Sequence, residues 1–219
     1  MKKIKVLLIL GLVVLVMFSC NNSKDTTAPV ITLKGSSDTA IALNSTWTDP
    51  GATAFDDEDG NVPVSASGVV NKDLVGTYTI TYQASDAAGN ISIKTRTVRV
   101  RNMADIWEGE YSVTDNGGGI EYTYTDYISV SQTQNTYVNV NKFRNYINGT
   151  LEFYFTNPDS VNTNIVVEAQ YITCGEPYID RFFYGMGQIT SLTIKTFELF
   201  INENDGTSTK NIVESYQKN

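Results

Sequence analysis

The chemistry open to this chain is bounded first by a missing side chain. Its 219 residues include no histidine, against 24 Asp and Glu and 16 Lys and Arg. Without imidazole, Ser-His-Asp and Cys-His nucleophilic catalysis are excluded. His-ligated zinc, copper and non-haem iron sites go with them. What stays open is carboxylate chemistry of the glycoside-hydrolysis kind, which needs two facing acids, and acids scattered along the whole chain single out no pair. Cys174 has no imidazole to activate it and reads as a small buried hydrophobe. Gly117-Gly118-Gly119 precedes a strand-like Tyr/Thr run, not a helix, so it is not a phosphate loop. The net charge of −8, with no Lys/Arg cluster beyond the N-terminus, argues against nucleic acid. No cofactor is expected and the chain reads as no enzyme.

Two groups of residues point to binding instead. Asp56, Asp57 and Asp59, in an acidic loop closed by Gly60-Asn61, offer hard oxygen ligands suited to calcium, with Asp86 as a further ligand from a second turn. The loop does not fit an EF-hand, because counting back from Gly60 places Phe55 at the first ligand position. A solvated acidic turn is the alternative. The second group is aromatic: Trp107, Tyr111, Tyr122, Tyr124 and Tyr127. Such rings stack on the C–H faces of sugars while neighbouring hydroxyls and amides bond sugar hydroxyls. In a strand Tyr122 and Tyr124 share one face and Tyr127 takes the other. Half-buried strands show the same pattern without binding anything.

The elements that carry these residues are strands throughout. Thr, Asn, Ser, Val, Ile and Tyr abound, and helix-favouring runs are absent, so the chain is all-β. From residue 29 to 100, short alternating runs are broken by turn residues at regular spacing, which indicates a small β-sandwich. Thr77–Ser85 places Tyr78, Ile80 and Tyr82 on one face and threonines on the other. Pro50-Gly51 suits a tight turn. The order of Ala28–Gly35, Trp47–Ala54, Asp57-Glu58-Asp59-Gly60, Gly76–Tyr82, Asp86–Asn90 and Thr97–Val100 resembles the bacterial surface Ig-like domain family. That resemblance implies an immunoglobulin-like sandwich serving as spacer, stalk or adhesion module.

Residues 101–105 read as a short linker. Residues 106–219 then hold eight strand-like runs separated by turn signals such as Asn148-Gly149, Asn157-Pro158-Asp159 and Asn204-Asp205-Gly206. Eight antiparallel strands suffice to close an up-and-down barrel. The opening Trp107-Glu108-Gly109-Glu110-Tyr111 and the closing Val213–Lys218 resemble small lipocalin-like barrels of bacterial lipoproteins, in which the Trp plugs one end. An Ig-type sandwich is the competing architecture. A barrel this small is either filled by side chains or holds one small ligand.

At the N-terminus, Lys2, Lys3 and Lys5 precede an uncharged aliphatic run from Val6 to Phe18. A basic head, a short apolar core and a small-residue cut describe a signal peptide over residues 1–19. The run is too short for a membrane span of roughly 20 residues. Met17-Phe18-Ser19-Cys20 resembles the lipobox of bacterial lipoproteins, which implies acylation of Cys20, and Asn21 after it implies the outer membrane. An ordinary signal peptide is the alternative. Acylation on more than one chain anchors stably, and residues 20–28 then form a flexible tether. The expected protein is thus a noncatalytic, lipid-anchored envelope lipoprotein. In it an Ig-like spacer presents a barrel to a glycan, a small molecule or an envelope protein. A purely structural or adhesive component and a carboxylate glycosidase are the alternatives.

Overall fold

Alternation of apolar and polar side chains sets the strands, and closing their apolar faces together sets two domains. The computed structural model describes residues 24–145, 149–174 and 179–219. Residues 1–19, read above as a signal peptide, and Cys20 lie outside the described residues.

The first domain is a two-sheet sandwich. One sheet holds β1 (Val30–Leu33), β3 (Ala52–Asp56) and β4 (Gly60–Val62), in the order β1-β3-β4. The other holds β2 (Asp38–Ala42), β5 (Val64–Ser67), β6 (Gly76–Ser85) and β7 (Ile91–Arg101), in the order β2-β7-β6-β5. β2 runs parallel to β7, whereas β6 and β7 form a long antiparallel hairpin. The buried centre is small: Ile31, Ala54, Ile80, Tyr82 and Ala84, with Trp47, Val62 and Val64 packed against it. It is extended by an ion pair. Arg96, only 1% exposed, donates to Asp49, to Lys34 O at 2.5 Å and to Gly51 O at 3.3 Å. Tyr82 donates to the same Asp49 oxygen at 2.5 Å. Burial, and then that bond, push its phenol up to about 12.

The second domain is a closed barrel. Its strands are β8 (Gly109–Asp115), β9 (Tyr122–Val130), β10 (Tyr137–Val140), β11 (Leu151–Phe155), β12 (Asn164–Cys174), β13 (Ile179–Ser191), β14 (Thr196–Asn204) and β15 (Thr209–Lys218). Each pairs antiparallel with its neighbours in sequence, and β15 pairs with β8 to close the ring. This is the up-and-down meander; among the described residues it has no Greek-key crossing of the Ig-type sandwich. Two glycines allow β13 to lie close against β14. A Cβ on Gly185 or Gly187 would overlap the backbone carbonyl of Phe200 or Glu198 on β14.

One end of the barrel is packed with rings. Trp107, from the 3-10 turn Asp105–Trp107, stacks on Phe155 at 5.2 Å and meets Phe197 edge-on at 5.9 Å. Phe197 in turn stacks on Tyr216 at 4.5 Å. The Trp107 indole N–H donates to Pro158 O at 2.9 Å, and Tyr111 donates to Trp107 O at 2.9 Å. Each buried indole or phenol thus keeps a polar partner. Trp107 closes this end.

The linker is short and ordered. Asn102, 1% exposed, donates to the carbonyls of Ser131, Gln134 and Tyr137 at 2.9–3.1 Å and accepts from Ala104 N and Thr136 N. Asn44 bonds Thr133 O and Asn135 N, and Val75 N donates to Gln132 O. The β9–β10 connection of the barrel is therefore bonded directly to the first domain.

Candidate functional site

Toward the end of the barrel away from Trp107, the inward positions turn from rings to charges. Asp115, Glu203 and Glu214 stand on β8, β14 and β15 in step with Val113, Ile201 and Ile212, so alternation turns them inward. All three are at most 1% exposed. Arg144, at a φ of 53° in the connection after β10, reaches the first two. Its Nε donates to Asp115 Oδ2 at 2.8 Å, and its Nη1 pairs with Glu203. Arg181 pairs with the other Glu203 oxygen. Tyr122 donates to Asp115 at 2.7 Å. Tyr124 and Tyr216 donate to the two oxygens of Glu214 at 2.8 and 2.5 Å.

Burial dominates the electrostatics here. It pushes the Glu214 carboxyl up to about 8, against the lowering pull of its two tyrosine bonds. Tyr124 and Tyr216 rise well above the phenol range from burial and from Glu214 beside them. Tyr122 rises to about 12, again through burial and its bond to Asp115. Inward-facing Asp126 is raised by burial, although the backbone of Lys142 and Tyr127 donates to it. Cys174, 5% exposed, is pushed up to about 11 by burial, so its thiol stays protonated and weakly nucleophilic.

The outer face of the barrel carries a different surface. Tyr171 on β12 is 74% exposed, and on β13 Tyr184 and Met186 are 41% and 65% exposed. Phe182 bridges them, its ring 5.0 Å from Tyr171 and 5.8 Å from Tyr184. Thr173, Asp180 and Asn202 stand beside these rings in the strand register. A second row crosses the strands through Val166, Met186, Phe200 and Val213.

A third cluster lies in the first domain. One carboxylate oxygen from each of Asp25, Asp56 and Asp86 lies within 4.8 Å of the others. Asp56 and Asp86 are 2% and 7% exposed. Asp56 Oδ1 accepts from Glu58 N and Asp59 N, both at 3.0 Å, and Asp56 Oδ2 has no partner. Asp86 accepts from the backbone and side chain of Asn90 at 2.7 and 2.8 Å. It is lowered overall, because these hydrogen bonds outweigh its desolvation.

The residues singled out from sequence are thus divided among several places. Trp107 and Tyr111 have no exposed surface and belong to the packed end. Tyr122 and Tyr124 line the charged interior, stacked 6.2 Å apart, while Tyr127 stands 47% exposed on the outer face. These five do not share one surface. Of the four acids read as a calcium set, Asp56 and Asp86 come together, Asp57 and Asp59 stand outside the trio, and Asp25 from the tether joins it. Asp59 instead accepts from Ala87 N at 2.6 Å. The sequence reading passed over Arg144, Glu203 and Glu214, and also the Tyr171–Tyr184 face. Strand parity was the usable signal: in β13 Phe182, Tyr184 and Met186 alternate with Phe183, Gly185 and Gly187, and the two glycines leave bulk on the outer side at Tyr184 and Met186.

Residues 31–100 match the family of the bacterial surface protein, Ig-like domain. The sandwich described above is therefore an Ig-like domain, as its motifs implied. No curated protein matches the chain. Among solved structures, a lipoprotein of Bacteroides thetaiotaomicron shares 17% identity, over 86% of this chain and 100% of its own, with a TM-score of 0.35. A structure of a carbohydrate-binding module with GlcNAc and INT domains, from Clostridium perfringens ZmpB, shares 15% identity. That likeness covers 87% of this chain and 44% of the other, with a TM-score of 0.28.

Proposed function

We propose that this is a noncatalytic, lipid-anchored protein of the cell envelope whose barrel binds a glycan through the exposed aromatic face of β12 and β13. The observation that carries the reading is the run Tyr171–Phe182–Tyr184, three neighbouring rings on the outer surface beside Thr173, Asp180 and Asn202. Exposed rings stack on sugar C–H faces, and hydroxyl, carboxylate and amide groups beside them bond sugar hydroxyls. The Ig-like family is one of surface proteins, which supports an envelope location. The segment ending at Ser19-Cys20-Asn21 supports a lipid anchor in the outer membrane. A noncatalytic role is supported by the buried acids, since Asp115, Glu203 and Glu214 are engaged by guanidinium and phenol groups inside the barrel.

The full chain purified in detergent is expected to bind at least one polysaccharide of an envelope or host-glycan panel. Each of Tyr171→Ala and Tyr184→Ala should weaken that binding roughly tenfold, since a buried ring contributes about 1.5–3 kcal/mol. Unchanged binding in the double variant would sink the glycan reading. The anchor is checked by Cys20→Ser, which should release the protein from the membrane fraction; continued partitioning with membranes argues against acylation. A second reading, an envelope protein as partner, is favoured by the row Val166–Met186–Phe200–Val213. Aliphatic and thioether groups suit a protein's apolar face better than a sugar. Met186→Lys would abolish that contact and spare glycan binding.

A further inference from the structure

We infer that Asp25, Asp56 and Asp86 form a calcium site that fastens the segment before β1 to the Ig-like domain. Three observations converge on it. The first is geometric. Calcium takes oxygen ligands at about 2.3–2.6 Å, so oxygens sharing one ion lie no more than about 5 Å apart; these three carboxylates meet that limit, with mutual separations within 4.8 Å. The second is electrostatic. Among the described residues no Lys or Arg pairs with any of the three acids. Like charges this close, two of them buried, repel unless a cation lies among them.

The third is a polar atom with no other use. Asp56 is 2% exposed, its Oδ1 is taken by two backbone N–H groups, and its Oδ2 has no hydrogen-bond partner. A buried carboxylate oxygen left in this way carries its full desolvation cost. A hard cation is the ligand that meets it. Asp86 is turned toward the trio by Asn90, whose Nδ2 also donates to Asp25 O and Thr27 O at 3.3 and 3.0 Å. The three acids come from the tether, the end of β3 and the β6–β7 turn. One ion would therefore join three segments remote in sequence, whatever the barrel binds.

The test uses the full chain in detergent, stripped with EDTA and titrated with calcium, magnesium or terbium. Calcium should raise the melting temperature of the Ig-like domain, and bound terbium should show tyrosine- or tryptophan-sensitised luminescence that calcium displaces. Asp56→Asn should abolish both. Because that variant disturbs a turn and could fail to fold, Asp25→Asn, in the tether, is the decisive one. It should fold as wild type does and bind calcium roughly tenfold more weakly, since affinity follows the count of charged ligands. Absence of any calcium-dependent shift or terbium signal in the folded wild type would overturn the site. Unchanged affinity in Asp25→Asn would overturn the tether's part in it. Equal affinity for magnesium would overturn the assignment to calcium.

Discussion

Each of the two domains buries an arginine, and they surround it differently. In the Ig-like domain, Arg96 meets one carboxylate, Asp49, through Nη1, and its Nη2 donates to the carbonyls of Lys34 and Gly51. The pair is neutral, with Tyr82 capping the shared acid. The barrel gathers Arg144 and Arg181 against Asp115 and Glu203, with Glu214 deeper and held by two tyrosines. The difference follows from what each interior has to fill. The central cluster of the sandwich is small, Ile31, Ala54, Ile80, Tyr82 and Ala84, and the buried Arg96 guanidinium lies over the Tyr82 ring to extend it. The barrel holds a core of aromatic and aliphatic side chains around Trp107 and has apolar bulk to spare. Its charges are a local feature of one end and are not needed to fill its centre. A buried ion cluster is weak evidence for stability, so the barrel's cluster is the better candidate for a specific task.

The largest expected effect tests that contrast. Arg144→Met leaves Asp115 and Glu203 with one guanidinium between them inside the barrel. Loss of one partner from a buried ion group costs ~3–5 kcal/mol. The barrel transition in urea should move accordingly while the Ig-like transition stays. The chain has one tryptophan per domain, Trp47 and Trp107, so fluorescence of a Trp47→Phe background follows the barrel alone. A uniform loss in both domains would show that the Asn102 junction makes them one cooperative unit.

Arg96→Met should cost less, ~2–3 kcal/mol. Besides the bonds to the Lys34 and Gly51 carbonyls, it strands one acid, Asp49, which is 26% exposed and retains the Tyr82 bond while water replaces part of the lost pairing. Fluorescence of a Trp107→Phe background would measure it. A cost equal to that of Arg144→Met would erase the distinction between the two sites.

A third expected effect is a pH dependence. Burial raises Glu214 from its ordinary 4.5 to about 8, so between those values the folded barrel holds a proton that the unfolded chain has released. Its contribution is therefore fully present at pH 4.5 and below, is lost as pH rises toward 8, and is flat above. Glu214→Gln removes this slope, and its melting temperature relative to wild type should climb from pH 5 to pH 8. Parallel curves for the two proteins would show that Glu214 is ionised throughout.

Much of this architecture was legible along the chain. Alternation marked nearly every strand, the meander of eight runs matched the observed ring, and the Trp107–Tyr111 opening pointed to the plugged end. The β13–β14 turn has no local signal, because Leu192 and Ile194 look strand-like and nothing announces the left-handed Lys195. The charged interior was half visible. Asp115, Glu203 and Glu214 share parity with apolar neighbours, yet an acid in a strand is ordinarily read as facing water.

The sequence by itself determined which segments become strands and that no imidazole chemistry is available, because these depend on local periodicity and on residue types. Only the tertiary structure decided which side chains meet. Arg144 reaches Glu203 across 59 positions, and Asp25 joins Asp56 and Asp86 from outside the first strand. Ring closure and sheet packing bring such groups together, and neither leaves a periodic trace in the chain. The same closure sent Trp107 and Tyr111 into the core and left Tyr171 and Tyr184 to face the surroundings.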